Sequence, residues 1–238
     1  MNGLDCFFKG FRLIFSSGLK RYIIIPLIIN IMLFSGMVYY AYSLFDGWIS
    51  WLIDWLPEFL YFLSWFLWVM FYVTLLGFTF YTFTIIANII AAPFNAVLAV
   101  QVEKKERGGQ LYHPRISWYQ LVYRTLAREA GKLLYYLPRL IGLVILTVLP
   151  LINLIAPLLW ILFGAWMMTI QYADYAADNN GKSFLQLRIA MSRQKTDSLT
   201  FGLAVYILMF IPLVNLLVIP ASVAGATVFW INNLEEQV

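Results

Sequence analysis

Charged side chains are scarce in this chain. Of its 238 residues only 12% are charged, whereas 62% are hydrophobic and 18% are aromatic. Soluble globular domains carry about 25% charged residues. The composition therefore excludes an ordinary soluble domain and indicates an integral membrane protein.

Cysteine and histidine are almost absent. Cys6 is the single cysteine, which excludes an internal disulfide, and His113 is the single histidine. A histidine-based metal centre or a Ser/His triad is therefore disfavoured. The sequence also lacks a Walker loop, a Rossmann glycine pattern, His-Glu-x-x-His and Cys-x-x-Cys. We expect no enzyme activity, catalytic residue, metal, cofactor or nucleic-acid partner.

Charge is strongly segregated along the chain. Four long segments contain no Asp, Glu, Lys or Arg: 22–45, 59–102, 140–173 and 199–234. All 16 cations lie in three polar stretches: 1–21, 101–139 and 174–197. Cations collect on the cytoplasmic side of membrane proteins. We therefore expect the three polar stretches to share that side.

The first third of the chain predicts a surface helix followed by two crossings. Residues 22–45 are long enough to cross the membrane, and 59–102 would cross and continue beyond it. Three acids and several tryptophans predict an external loop at 46–58. An interfacial helix is predicted before these segments, because apolar residues at helical spacing lie opposite three charged residues. The apolar residues are Leu4, Phe7, Phe8, Phe11, Ile14 and Phe15, and the charged residues are Asp5, Lys9 and Arg12.

The last two charge-free segments are each interrupted by prolines. The first contains PLINLIAP with Asn153 at its centre, and the second contains PLVNLLVIP with Asn215. Each segment is too short for two full crossings and broken where one crossing should be continuous. Two half-penetrating hairpins, 140–173 and 199–234, fit best, with both asparagines at the turns. The alternative is four simple crossings.

A cationic stripe marks the polar stretch before the first hairpin. Ser117 is a candidate N-cap, and Arg124, Arg128 and Lys132 follow at i, i+4 and i+8. The stripe either faces solvent and lipid headgroups or pairs with the acids that follow the hairpin. Those acids, Asp174 and Asp178, would otherwise cap a helix.

The segment SSGLKRYII at 16–24 precedes the first crossing. Its cations have a topological interpretation, because basic residues hold the adjoining end in the cytoplasm. A glycine-containing turn at a helix start also directs unpaired N–H groups at an anion, and Ser16 and Ser17 could add hydroxyl donors. Both interpretations remain open from the residues, since one pair of cations can serve both.

The segment GLKRYIIIPLIINIMLF resembles the glycine-hydrophobe-Arg-Arg run and following Pro-Leu-x-x-Asn segment of the CysZ sulfate permeases of bacterial inner membranes. The similarity continues in order through 86–103, 135–139, 156–175 and 211–227. It implies sulfate uptake across the inner membrane for assimilation into cysteine. It also implies a homo-oligomer and an all-helical fold with two long transmembrane helices and two half-penetrating hairpins.

The resemblance places a sulfate site on Gly18, Leu19, Lys20 and Arg21. Lys20 stands where an arginine is usual in the family. Lysine keeps the charge but lacks the bidentate fork, so Arg21 is the better candidate for the geometric contact.

We therefore expect an all-α integral membrane protein with one membrane domain over 1–238. It comprises an interfacial helix and anion-site turn (1–21), two transmembrane helices (22–102), a cytoplasmic polar helical region (103–139) and two hairpins. The alternative function is a membrane anion-binding or regulatory protein without transport. A membrane enzyme would need an acid/base pair such as Asp174 and Asp178.

Overall fold

The computed structural model describes residues 1–55, 57, 61–109, 117–150 and 153–238. All regular secondary structure in these residues is helical, which confirms the predicted all-α class. The α-helices of the described residues are α1 (Gly3–Leu13), α2 (Arg21–Asp54), α3 (Tyr61–Glu106), α4 (Trp118–Val148), α5 (Ala156–Asn179), α6 (Phe184–Arg193), α7 (Lys195–Met209) and α8 (Pro212–Phe229). A π-helical turn, Trp230–Leu234, and a 3-10 turn, Glu235–Gln237, follow α8. His113 lies outside the described residues.

Two helices begin at serines with the same capping arrangement. The hydroxyls of Ser117, before α4, and Ser183, before α6, each accept a hydrogen bond from the N–H three residues on. The side chains of Gln120 and Gln186 accept from the serine N–H groups in return. This capping box satisfies backbone donors that a helix start leaves unpaired. The predicted N-cap at Ser117 is confirmed.

Helix α2 continues farther than the sequence predicts. The expected loop at 46–58 is wrong for most of its length, because α2 ends only at Asp54. Within 46–58 the first proline is Pro57, so no residue before it lacks a backbone N–H. The helix can therefore continue and keep its backbone N–H and C=O groups hydrogen-bonded. The rings of Trp51 and Trp55, one turn apart near this end, pack in a tilted arrangement with centroids 5.9 Å apart.

Both predicted hairpins correspond to helix pairs. Helix α4 is followed by a turn and α5, and Trp160 Nε1 donates to Thr147 Oγ1 across the pair at 3.0 Å. Helix α7 is separated from α8 only by Phe210 and Ile211. Helices α4 and α5, with 31 and 24 residues, exceed the length of about 20 that a crossing needs. Helix α7 has 15 residues, or about 22 Å. The half-penetrating depth stays a prediction.

The two asparagines expected at the hairpin turns occupy different positions. Asn153 lies in the turn, where its N–H donates to the Leu149 carbonyl at 3.0 Å and its carbonyl accepts from Ala156 at 3.3 Å. Asn215 instead lies in the first turn of α8, so its predicted place is wrong. The helix begins earlier because Pro212 occupies the start, where its fixed φ suits a helix and its missing N–H costs nothing.

The described residues form two compact units, 1–23 with 92–238, and 24–91. In the larger unit, α8 packs against α1, α5 and α7. Glycines permit these close approaches, because a methyl group on Gly10 of α1 would overlap Gly225 of α8. A methyl group on Gly202 of α7 would likewise overlap the backbone of α5 at Ala165. Small residues at helix crossings are typical of membrane proteins.

Helix α1 buries one apolar face and exposes another. Phe7 and Ile14 are buried in the protein core, whereas Leu4, Phe8 and Phe15 are exposed. The six apolar residues predicted to lie together on the membrane therefore divide between protein packing and an outer face. Interfacial placement of that outer face stays a prediction.

The smaller unit consists of the α2 and α3 segments within 24–91. The rings of Phe34 on α2 and Phe83 on α3 pack edge to face with centroids 4.9 Å apart. Four helical segments among the described residues are long and apolar enough to cross a membrane: Arg21–Ser43, Trp118–Val148, Ala156–Asn179 and Leu217–Gln237. This composition supports a multi-pass membrane protein.

Replacing Gly10 by alanine tests the α1–α8 crossing. The added methyl group has no space beside Gly225, so we expect a loss of about 1–3 kcal/mol in unfolding free energy. Gly131→Ala on α4 is the matched control, because nothing lies within 4 Å of its added methyl group. Thermal unfolding of both variants in detergent measures the difference. Equal stability of Gly10→Ala and the parent would contradict the tight crossing.

Candidate functional site: a basic cleft beside the Gly18 turn

The turn between α1 and α2 leaves backbone donors available. Gly18 has φ +90°, a left-handed conformation that suits glycine. The N–H groups of Ser17, Gly18, Lys20 and Arg21 donate to no acceptor among the described residues. Those of Tyr22 and Ile23 are used, because each donates to the carbonyl three residues back, Leu19 and Lys20, at 3.0 and 3.1 Å. The backbone N–H groups available to a ligand are therefore those of the turn and of the first residue of α2.

The side chains of this turn have distinct roles. Leu19 is buried in the protein core and its N–H donates to the Ser16 carbonyl at 3.3 Å. The Ser16 hydroxyl donates to the Leu13 carbonyl at 2.6 Å, so it closes the end of α1. Ser17 and Lys20 are exposed. The hydroxyl donor available to a ligand is therefore that of Ser17.

The C-terminal end of α3 forms the other wall of a cleft of about 420 Å³ beside this turn. The N–H of Gly109 donates to the Lys104 carbonyl at 2.8 Å, and that of Gly108 donates to the Lys105 carbonyl at 3.4 Å. This Schellman motif requires a left-handed residue after the helix, here Gly108 with φ +68°. The cleft is lined by Ser17, Gly18, Leu19, Arg21, Gln101, Lys104, Lys105, Gly108 and Gly109.

The charge of this cleft is uniformly positive. Arg21, Lys104 and Lys105 line it, and none of the three forms an ion pair with a carboxylate in the described part of the chain. Arg21 donates to the Tyr22 hydroxyl at 2.9 Å and lies 4.8 Å from its ring centroid. Lys20 carries the same charge but does not line the cleft.

The neighbouring charged residues of α3 are paired instead. The fully buried Glu103 accepts from Arg107 Nε at 3.0 Å and from Asn180 Nδ2 at 3.0 Å. Arg107 also donates to Glu235 at 2.5 Å, and Glu106 pairs with Lys9 of α1. These contacts hold the end of α3 against three other parts of the chain.

Burial opposes charge on the Arg107 guanidinium. The hydrogen bonds and charges of Glu235 and Glu103 outweigh that effect and raise the pKa of Arg107 above its ordinary value. Arg107 therefore stays cationic and serves as a fixed structural link.

A second polar cluster joins α4 to α5. Arg128 donates from Nε and Nη2 to the Asp174 carboxylate at 3.1 and 2.6 Å, and from Nη1 to the Lys182 carbonyl at 2.8 Å. Arg124 pairs with Asp178 at 2.9 Å. Pairing with these acids, one of the two options predicted for the stripe, is therefore the observed arrangement.

Lys132 extends the same cluster into the protein. It is 1% exposed, pairs with Glu129 at 2.6 Å and lies 3.7 Å from the Asp174 carboxylate. Glu129 also accepts from Gln171 at 3.2 Å and from the Tyr175 hydroxyl at 3.0 Å. The net charge of the cluster is zero, because it contains three cationic side chains and three carboxylates. The cluster consequently has no surplus charge with which to hold an anion.

The sequence model of one protein family, described as Sulfate transporter CysZ/Etoposide-induced protein 2.4, matches residues 6–220. The chain belongs to this family. The Sulfate transporter CysZ of Pseudomonas syringae pv. tomato is 48% identical over 227 residues, covering 94% of this chain and 89% of the relative. That of Pseudomonas fluorescens is 46% identical, covering 94% and 90%, and that of Vibrio cholerae is 39% identical, covering 99% and 95%.

This CysZ family chain brings three of the four predicted sulfate-site residues to one cleft, namely Gly18, Leu19 and Arg21. Residues at the end of α3 and in the turn after it, which the sequence did not single out for binding, complete its wall: Gln101, Lys104, Lys105, Gly108 and Gly109. The two glycines after EKKER signal a Schellman end, but no local pattern shows that this end lies beside the Gly18 turn.

Replacing Asp174 by asparagine tests the α4–α5 cluster. The change leaves Arg128 and Lys132 without their buried carboxylate, so we expect a loss of about 3–5 kcal/mol in unfolding free energy. The double variant Arg128→Met with Asp174→Leu removes both charges and should recover part of the loss. Thermal unfolding in detergent measures both. A double variant less stable than Asp174→Asn would contradict the pairing argument.

Proposed function

We propose that this protein is a sulfate permease of the bacterial inner membrane, which takes up sulfate for assimilation into cysteine. Membership of the CysZ family supports the substrate, because the similar curated proteins are named sulfate transporters. The apolar helices support a membrane location. The association of several copies, implied by the resemblance, belongs to the same proposal.

The basic cleft is the proposed sulfate site. The observation that carries it is a cleft where three cations, Arg21, Lys104 and Lys105, have no carboxylate partner within the described residues. Within those residues the N–H groups of Ser17 and Gly18 on the facing turn are also free. Sulfate is a tetrahedral dianion, and successive backbone N–H groups with a guanidinium fork offer parallel donors to its oxygens. A net positive, carboxylate-free wall favours a divalent over a monovalent anion.

The membrane potential constrains the transport step. Moving two negative charges inward against about 100 mV costs roughly 4.6 kcal/mol, which corresponds to an inside concentration on the order of 10³-fold lower. Uptake therefore requires coupling to protons or rapid consumption of sulfate inside. A binding site alone does not drive accumulation.

Arg21→Gln tests the site and the activity together. We expect roughly tenfold or greater weakening of sulfate binding and flux, because a charge-assisted hydrogen bond contributes about 1.5–3 kcal/mol. Radiolabelled sulfate influx into proteoliposomes and calorimetric binding in detergent provide the two measurements, with chloride and phosphate as competitors. Arg12→Gln is the matched control, since Arg12 is an exposed arginine of α1 that does not line the cleft. Sulfate binding by the parent without influx would instead support an anion-binding or regulatory protein.

Lys104→Gln with Lys105→Gln tests whether α3 contributes to the site. We expect sulfate affinity to fall about fivefold or more and to become less dependent on salt, because two exposed cations near the anion are removed. Arg12→Gln with Lys195→Gln is the control, since it removes two exposed cations that do not line the cleft. Unchanged affinity in the α3 variant, together with lost affinity in Arg21→Gln, would restrict the site to the turn.

A further inference from the structure

Two arginines from different helices lie against the same aromatic ring. The Cζ of Arg139, one turn along α4, is 3.5 Å from the ring centroid of Tyr135, and the Cζ of Arg188 on α6 is 4.6 Å from it. The two Cζ atoms are therefore at most about 8 Å apart. Phe184 of α6 packs edge to face on the same ring, with centroids 5.5 Å apart. The Tyr135 ring therefore contacts both guanidinium groups and limits their separation.

Neither arginine is neutralised. In the described ranges, no carboxylate forms an ion pair with Arg139 or Arg188. Arg139 uses one donor, from Nη1 to the Tyr135 carbonyl at 2.8 Å, and the Nε of Arg188 is buried without a hydrogen-bond partner. Contact with an aromatic face stabilises a guanidinium but does not cancel its charge. Two like charges and a buried donor with no partner in the described residues favour the binding of an anion here.

The position of the pair selects the anion. Arg139 is the last charged residue before the apolar segment 140–173. Exposed apolar residues flank both arginines in the sequence: Leu137 two residues before Arg139, and Leu185 and Ile189 on α6. An arginine at the end of an apolar helical segment, flanked by exposed leucine and isoleucine, is typical of the depth of lipid headgroups. A small soluble anion would gain nothing from exposed apolar side chains around its binding site, whereas a lipid would.

We propose that Arg139 and Arg188 bind the phosphate of an anionic phospholipid headgroup. Tyr135 holds the two guanidinium groups in place, and their remaining N–H donors match the phosphate oxygens. Leu137, Leu185 and Ile189 lie against the acyl chains next to that headgroup. The site is separate from the basic cleft, since it shares no residue with the cleft wall. The inference does not rest on sulfate transport.

Lipid titration of the full-length protein in a neutral detergent tests this site. Phosphatidylglycerol should raise the melting temperature of the parent and remain bound in native mass spectrometry, whereas zwitterionic phosphatidylcholine should do so far less. We expect Arg139→Gln and Arg188→Gln each to weaken phosphatidylglycerol binding roughly fivefold and the double variant roughly thirtyfold, from the usual contribution of one basic residue near anionic lipid.

Matched controls separate the site from general charge. Arg193→Gln removes an exposed arginine at the end of α6, which contacts neither Tyr135 nor Phe184 in the structure, and should retain lipid binding. Because Arg139 is exposed, Arg139→Gln should fold, and circular dichroism checks that it does. Lipid binding by folded Arg139→Gln or Arg188→Gln equal to the parent would overturn the proposal. The same comparison in the Arg21→Gln background removes the contribution of the basic cleft. There, protection by inorganic phosphate equal to that by phosphatidylglycerol would also overturn the proposal, because the ligand would then be a free oxyanion.

Discussion

Pairing of buried carboxylates with a subset of the cations organises the larger unit. Glu103 and Asp174 are almost fully buried, and an unpaired charge at such a depth costs several kcal/mol. Glu103 pairs with Arg107 one turn along and accepts from Asn180, which fastens α3 to the end of α5. Asp174 pairs with Arg128, which fastens α4 to α5. The cations that remain are then free to collect at surfaces. In the larger unit, the cations that pair with buried carboxylates therefore stabilise the fold, and the remaining cations are available to a ligand.

Much of the helical architecture could be predicted because it follows from local patterns. The charge-free segments and prolines indicated where helices pair, and Ser117 indicated where α4 begins. The acids and tryptophans of 46–58 indicate a loop, but α2 extends to Asp54 because no backbone feature stops the helix before that residue. The protein-facing side of α1 was missed because it is formed partly by Gly3 and Gly10, whose role depends on what packs against them.

Only one wall of the candidate site could be predicted from the sequence. Gly18 and Arg21 are neighbours in sequence, so the turn could be recognised from a short segment. Lys104 and Lys105 lie more than eighty residues away, and their approach depends on packing that no periodicity encodes. The sequence also did not show which cations would be neutralised, because that depends on the tertiary position of each carboxylate.

Burial of Leu19 between two exposed residues has a consequence for binding kinetics. Its side chain fastens the turn to the core, so the backbone donors of Ser17 and Gly18 keep their positions whether or not an anion is present. A ligand captured there loses little energy to ordering the loop, which favours affinity through preorganisation. Its departure then depends on movement of the arginine and lysine side chains, which exchange rotamers far faster than a core-anchored turn can open. Rapid release is compatible with such a rigid backbone.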